Sequence, residues 1–557
     1  MKKCIFAVVA IIMLLGAHAY AQKPVVVIGP GMNSGRTPYH QDYDKVLSSD
    51  TVYTLTGLYY VDSTYSMTIP PGTVIRGDTA ATLIISRGAK IYAEGNEHQP
   101  IVFTSLKDPN FRQPGDWGGV ILLGQAPVNK VEPQIEGGII GGSFGGSDPD
   151  DTTGVFCYVR IEFPGYRFQL NNEVNGLTMG GIGRGTELHH VQVSYSFDDS
   201  FEWFGGTVNA HHLVTMGGTD DEFDTDFGYQ GKIQFCFGLR DRLYWDPTGQ
   251  SNGFESDNDG SSTSTAEPYT NPLFCNVTLV GPQFDALTPP PPGHTYQYSA
   301  VIRRSTKCSV YNSVIVGYPW GVSNRDTYTH MFSMNGELQW QNVSVGASYL
   351  KTATSIHGDD RWAPDSCTLW FDTSAYANYA SDSVRYCADV GLVNMTNLNN
   401  PNPVPAIGSE LDGTADFSNP KLADFEEVTY RGAFDPNVPI YHQWIREWTN
   451  FNPKTTEYNP IQTGEDVPQL AVGMLSQNFP NPFNPITTIR YSVPRTGHVS
   501  LVVYSVRGER ISTLVNGEKE AGSYEVSFNA NGLASGTYFY TFKGEGFQET
   551  RKMVILR

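Results

Sequence analysis

The feature that most limits what this chain can fold into is a strand-and-turn unit that recurs through its middle. From about Thr51 to Gly346, short β runs alternate with glycine and asparagine turns, and helical periodicity is nearly absent. Early runs are Met67–Ile69, Val74–Arg76, Leu83–Ser86, Lys90–Ala93 and Ile101–Thr104. Later runs share one shape: a polar residue, alternating apolar positions, then often a glycine. They open at His190, His212, Asn276, Asn312 and Asn342, the first two 22 residues apart and the last two 30 apart. A loose period of this length marks a solenoid, because one coil cannot bury its apolar face without a neighbour. The expected fold is therefore all-β, a right-handed parallel β-helix over residues 51–346. Equivalent residues of stacked coils lie about 4.8 Å apart. Asn276, Asn312 and Asn342 then form a ladder, since a side-chain amide carries donor and acceptor in one short group.

Within the repeat, three acidic segments align on Phe201, Phe223 and Phe254, and an acid follows each: Glu202, Asp224 and Glu255. Asp226 and Asp257 match each other two positions later. Stacked carboxylates repel and raise one another's pKa unless a cation, an arginine or water satisfies them. Calcium suits them best, as a hard cation that takes several oxygens. Glu202, Asp224, Asp226, Glu255 and Asp257 are thus the candidate metal ligands, with Arg184, Arg240 and Arg242 as alternative partners and a solvated acidic face as the plain alternative. The 31 residues from Asp224 to Glu255 exceed the 22 from Glu202 to Asp224, so a loop inserted near Leu243–Ser251 is expected. Aromatic residues run beside the acids. Trp203, Tyr229 and Trp245 are candidate carbohydrate contacts, while Phe201, Phe223 and Phe254 are expected to point inward. His189, His190, His211 and His212 are read as turn-capping residues ahead of metal ligands, because only one of two adjacent strand residues faces a given direction. No catalytic residue is assigned.

The chain opens with Lys2, Lys3, an apolar run from Ile5 to Gly16, and Ala19-Tyr20-Ala21. That pattern is a signal peptide over 1–21, with cleavage before Gln22. No later segment reaches about 18 unbroken apolar residues, so no transmembrane span is expected in the mature chain. Lys plus Arg is 37 against 57 for Asp plus Glu, a net charge of −20, which argues against a nucleic-acid partner. Six cysteines follow the signal peptide, and Cys367 with Cys387 is the expected bridge. Residues 22–50 read as a lead-in, 347–452 as an irregular cap over the open end of the solenoid, and 453–473 as a linker. Six or seven short strands over 474–557 then argue a small Ig-like β-sandwich.

That last module carries a family resemblance in three places: Gln477-Asn478-Phe479-Pro480-Asn481-Pro482-Phe483-Asn484-Pro485, the Val503–Gly508 strand-turn, and Gly532-Leu533-Ala534-Ser535-Gly536-Thr537-Tyr538. It resembles the type A C-terminal sorting domain of the type IX secretion system. The resemblance implies that the secretion machinery is a partner and that the protein is secreted or held at the outer-membrane surface. Residues 110–450, with Gly205-Gly206-Thr207-Val208-Asn209-Ala210, resemble exported β-helix surface proteins of Bacteroidota-like bacteria. Pectate lyases share the general architecture and combine calcium-binding acids with an arginine base, but their motifs are not recognisable here and no catalytic residue transfers. The function expected is a non-enzymatic structural or adhesive surface protein that binds extracellular polysaccharide or cell-envelope glycan. The alternative is a calcium-dependent polysaccharide lyase or glycoside hydrolase.

Overall fold

The computed structural model describes residues 23–169, 172–347, 370–371, 385–458 without 394 and 396, and most of 475–556. The signal-peptide segment, Cys367 and residues 459–473 of the linker lie outside the described residues, and Cys387, the expected bridge partner of Cys367, is a buried free thiol. The chain divides into two compact units, Gln22–Gln462 and one built on Thr463–Arg557.

The first unit is a right-handed parallel β-helix. One face is a ten-stranded sheet that runs in sequence order from Pro38–Gln41 to Trp320–Asn324. Its strands pair in parallel with their counterparts one coil away, as Leu177–Gly180 does with Phe201–Phe204. The other faces form a sixteen-stranded sheet whose main path runs from Val25–Ile28 to Trp340–Gln341. Val25–Ile28 pairs with Val52–Leu55, and Pro38–Gln41 with Leu58–Val61, so the stretch expected as a lead-in supplies the first coil. Inward residues of all faces meet in one core that holds Phe201, Trp203, Phe223, Phe254 and Phe274.

The large sheet folds along a line of left-handed residues. Tyr158, His190, His212, Phe235, Asn276, Asn312 and Asn342 have φ of 50°, 50°, 57°, 57°, 54°, 46° and 59°. From Tyr158 on, one such residue per coil turns the chain from one face to the next, within a single strand as far as Asn276 and between two strands at Asn312 and Asn342. This is why each sequence run opens on a polar residue: Asn and His tolerate the left-handed region, which crowds a β-branched side chain. The asparagine ladder forms between Asn342 and Asn312, while Asn276 bonds Gln234 of the preceding coil. Asn342 Nδ2 donates to Asn312 Oδ1 at 2.7 Å, and Gln234 Nε2 donates to Asn276 Oδ1 at 3.1 Å.

Of the region expected to cover the open end, Trp370 and Phe371 join the solenoid core beside Trp340 of the last coil, while residues 385–458 run along a flank. Asn342 Nδ2 donates to Thr414 O, Asn312 Nδ2 to Asp416 O, and Asn276 Nδ2 to Tyr430 O. Further on, Gln192 Nε2 donates to Asn450 O, and Arg112 Nη1 to the carbonyls of Pro453 and Thr456. The chain therefore returns past successive coils toward the N-terminal end. The cause is the outer face of the large sheet, where Val214, Met216, Phe237, Leu239, Val280 and Val316 are apolar and buried against Val390, Leu411, Phe434, Ile445, Trp448 and Phe451. A face of that kind must be covered, and backbone groups without regular partners are satisfied by the ladder.

The second unit is a small antiparallel sandwich. Ile486–Val493 pairs with Gly522–Asn529, while Gly497–Ser505 lies between Arg510–Lys519 and Gly536–Gly544, which also pairs with Phe547–Ile555. Leu501, Val503, Tyr540, Phe542 and Met553 fill its core.

Candidate functional site: an acidic cluster on the ten-stranded sheet

Three consecutive strands build the site: Phe201–Phe204, Phe223–Asp226 and Phe254–Ser256. The register places Phe201 beside Phe223 and Phe223 beside Phe254, and it places Glu202 beside Asp224 and Asp224 beside Glu255. Strand alternation does the rest. The phenylalanines point inward and stack with ring centroids 5.6 and 5.7 Å apart, and the acids fall on the outer face. Asp224 pairs directly with Glu255, so the extra residues between them are an insertion within one coil. It lies in the segment that joins Lys232–Leu239 to Phe254–Ser256.

The five acids named from sequence do not share one environment. Glu255 and Asp257 are paired with arginines from the following coil. Arg303 bonds Glu255 Oε1 through Nη2 and reaches Asp257 Oδ1 at 2.9 Å through Nε, while Arg304 Nη1 reaches Asp257 Oδ2 at 2.6 Å. Burial still outweighs Arg303 at Glu255 and pushes its carboxyl up to about 8. Asp226 accepts from the neighbouring Phe227 N at 2.6 Å. The arginines that sequence offered go elsewhere: Arg240 pairs with Glu222 at 2.5 Å, Arg184 with Asp150 at 3.1 Å, and Arg242 donates to Pro289 O.

Glu202 and Asp224 instead meet Asp199, which the sequence pattern did not single out. One carboxylate oxygen from each of Asp199, Glu202 and Asp224 lies within 4.8 Å of the other two. Asp198, Asp199 and Asp220 form an overlapping group of the same kind. Among the described residues, no lysine or arginine forms an ion pair with Asp199, Glu202 or Asp224, and Asp224 Oδ1 is buried without a hydrogen-bond partner. Asp199 Oδ1 accepts from Asp221 N at 2.8 Å. Burial first, and neighbouring carboxylates second, hold Asp198, Asp199, Glu202, Asp220 and Asp224 well above the usual carboxylate range. Clustered buried carboxylates of this kind could coordinate a divalent cation. Asp224 Oδ1 is the orphaned acceptor such an ion would satisfy, and all donors in the set are oxygens.

At the rim, Asn175 Nδ2 donates to Glu136 Oε1 at 2.8 Å and also to Glu202 Oε2. Asn175 thus bridges the two carboxyls, and burial raises both of them above the usual carboxylate range. Glu136 comes from a loop and could not be found from the repeat, whereas Asn175 stands two residues before Leu177, in the column that continues as Asp199, Asp221 and Asn252.

The aromatic candidates separate. Trp203 and Tyr229 lie wholly in the core, their rings stacked 5.4 Å apart, and a ring with no open face cannot hold a sugar. Trp203 shares strand parity with Phe201, two residues away, and that parity sends both inward. Trp245 is half-buried in the inserted segment, against Tyr296.

A family profile described as a pectate-lyase-like beta helix domain matches residues 39–382, more than half of the chain. The chain belongs to the pectate-lyase-like beta-helix family. A second profile, described as a secretion system C-terminal sorting domain, matches residues 477–556. The pectate-lyase-like body is thus joined to a type IX sorting domain, and the protein is secreted to the cell surface by that machinery. No helix among the described residues is long and apolar enough to cross a membrane. No curated protein matches the chain.

Proposed function

We propose that this is a non-enzymatic surface protein whose solenoid is a rigid adhesive body, with calcium held structurally at Asp199, Glu202 and Asp224 and carbohydrate as its contact. The observation that carries it is the unpartnered Asp224 Oδ1 inside a group of three carboxylates, while Glu255 and Asp257 next door already have arginines. Access supports a structural rather than catalytic ion. Asp199 and Glu202 are 7% and 6% exposed, too little for a polymer chain to reach them. Asp226, Glu255 and Asp257 then shape the field around the ion, and Trp245 is the aromatic left with a face for a sugar ring.

Glycan-array binding and a depolymerase screen against acidic and neutral polysaccharides test the proposal. Binding without cleavage, weakened by Trp245→Ala, is the expected result. A second reading, a glycan-cleaving enzyme, draws on Glu136 and Glu202, which Asn175 bridges, since two neighbouring carboxyls are suited to general acid and base work. Polymer cleavage that is lost in Glu136→Gln and Glu202→Gln would establish it and overturn the non-enzymatic proposal.

A further inference from the structure

Away from the acidic face, the strands Glu187–Ser194 and Ala210–Met216 bring four histidines together at the fold line of the large sheet. His189 pairs with His211 in register. His190 and His212 are the left-handed residues that follow, so the usual alternation fails there. Adjacent rings, which in a straight strand would point to opposite faces, instead meet. His189 Nδ1 is 2.8 Å from His190 Nδ1, and His211 Nδ1 is 2.7 Å from His212 Nδ1. The rings also stack between coils, His189 on His211 at 4.8 Å and His190 on His212 at 4.5 Å.

We propose that His189, His190 and His211 form a binding site for a zinc-class divalent transition-metal ion, independent of the acidic cluster. Each ring offers one nitrogen, and the three lie within 4.8 Å of one another. Imidazole nitrogen suits zinc, copper and nickel, whereas calcium takes oxygen. The surroundings match what a bound ion needs. Glu187 Oε1 lies 3.0 Å from His189 Nε2, so that nitrogen carries the proton and Nδ1 keeps its lone pair for a metal. On the far side, Tyr158 stacks on His190 at 4.3 Å, and Trp448 and Trp444 meet His190 and His212 edge-on at 5.6 and 4.8 Å. These contacts fix the inner rings, while His211 is exposed and leaves a side open to water as a fourth ligand.

Bonds of about 2.0–2.1 Å in a tetrahedron set ligand nitrogens about 3.3 Å apart. The His189–His190 pair must open slightly and His211 must swing inward. An exposed side chain can make that movement by changing rotamer.

The test is titration of the tag-free full-length secreted protein, first stripped with chelator, with cobalt(II) and then zinc. Cobalt in a nitrogen site of low coordination number gives visible absorption that an oxygen site does not match in intensity. One cobalt per chain, displaced by one zinc, is expected. His211→Asn alters an exposed residue and should fold normally, checked by an unchanged metal-free melt, yet lose affinity at least tenfold. His189→Asn should do the same. Glu187→Gln should weaken binding about tenfold through its loss of hold on His189. Asp224→Asn, which removes a proposed calcium ligand, should leave the cobalt spectrum unchanged. No stoichiometric cobalt binding, or binding equal in wild type and His189→Asn, overturns the site.

Discussion

At Asp224 a buried carboxylate faces other carboxylates with one oxygen unpartnered, and the cost of that arrangement is measurable. In chelator, Asp224→Asn removes the repulsion and should raise the melting temperature slightly, on the order of 1–3 °C for a body of this size. With calcium the order reverses. An ion that binds only the folded form adds about 2.7 kcal/mol at a hundredfold excess over Kd, and the variant should gain little of it. Paired melts with calcium and with chelator check this, and identical wild-type melts in both conditions would leave only an acidic face. The pH dependence has a definite sign. Asp199, Glu202 and Asp224 are held well above the usual range, Asp221 is pushed up to about 7 and Glu255 to about 8. Unfolded carboxyls titrate near pH ~4. Between about pH 4 and 8 the folded, metal-free protein therefore holds protons that the unfolded chain releases, and stability falls as pH rises. The slope is at most about 1.4 kcal/mol per pH unit for each group. Chelated protein should melt progressively lower toward pH ~8, and calcium should flatten the curve. A flat curve in chelator would count against raised carboxyls.

At the scale of strands and turns, the stack is held by repeated contacts that a single substitution can interrupt. Asn312 sits at φ 46°, accepts from Asn342 Nδ2 at 2.7 Å and from Asp416 N at 2.9 Å, and donates to Asp416 O. Asn312→Ala should cost about 2–4 kcal/mol, from left-handed strain plus buried groups left without partners. Asn312→Gly relieves the strain and should recover about 1–2 kcal/mol of that loss. Denaturant melts of both variants separate the two contributions, and equal stability would discount the strain. These contacts also explain what could be read in advance. Phe201, Phe223 and Phe254 recur one per coil, so local sequence carried the register of the acids that follow them. The same holds for Asn276, Asn312 and Asn342. What escaped was supplied from outside the repeat. Arg303 and Arg304 come from the next coil, where no acid marks the register, and Glu136 comes from a loop. The convergence of the histidines escaped because strand alternation was applied across His190 and His212, where a left-handed residue interrupts it. Trp203 could have been placed, since its parity with Phe201 was visible; its polar ring edge and acidic neighbours favoured the wrong side.

Over the whole molecule, two cores coexist that share no residue. One set of clusters draws on Ile28 through Phe451, the other on Leu475 through Ile555. The returning segment up to Tyr458 belongs to the body, where its hydroxyl donates to Glu162 Oε1 at 2.6 Å. A cut after Gln462 therefore removes no side chain from the body's core, and the match to a sorting domain covers only residues beyond it. Both facts lead to one prediction about deletion of residues 474–557. Cell fractionation should show the truncated protein lost from the surface and retained in the periplasm, because the secretion machinery has no signal to engage. The retained body should remain folded and keep its calcium-dependent melting shift, since Asp199, Glu202 and Asp224 all lie within the intact unit. The second measurement gives the first its meaning. A body that unfolds would be absent from the surface through proteolysis, whatever its sorting signal. Loss from the surface with a wild-type melt assigns residues 474–557 to export alone. Normal surface delivery of the truncated chain would refute the sorting role, and a lowered melt would show that the sandwich also stabilises the body.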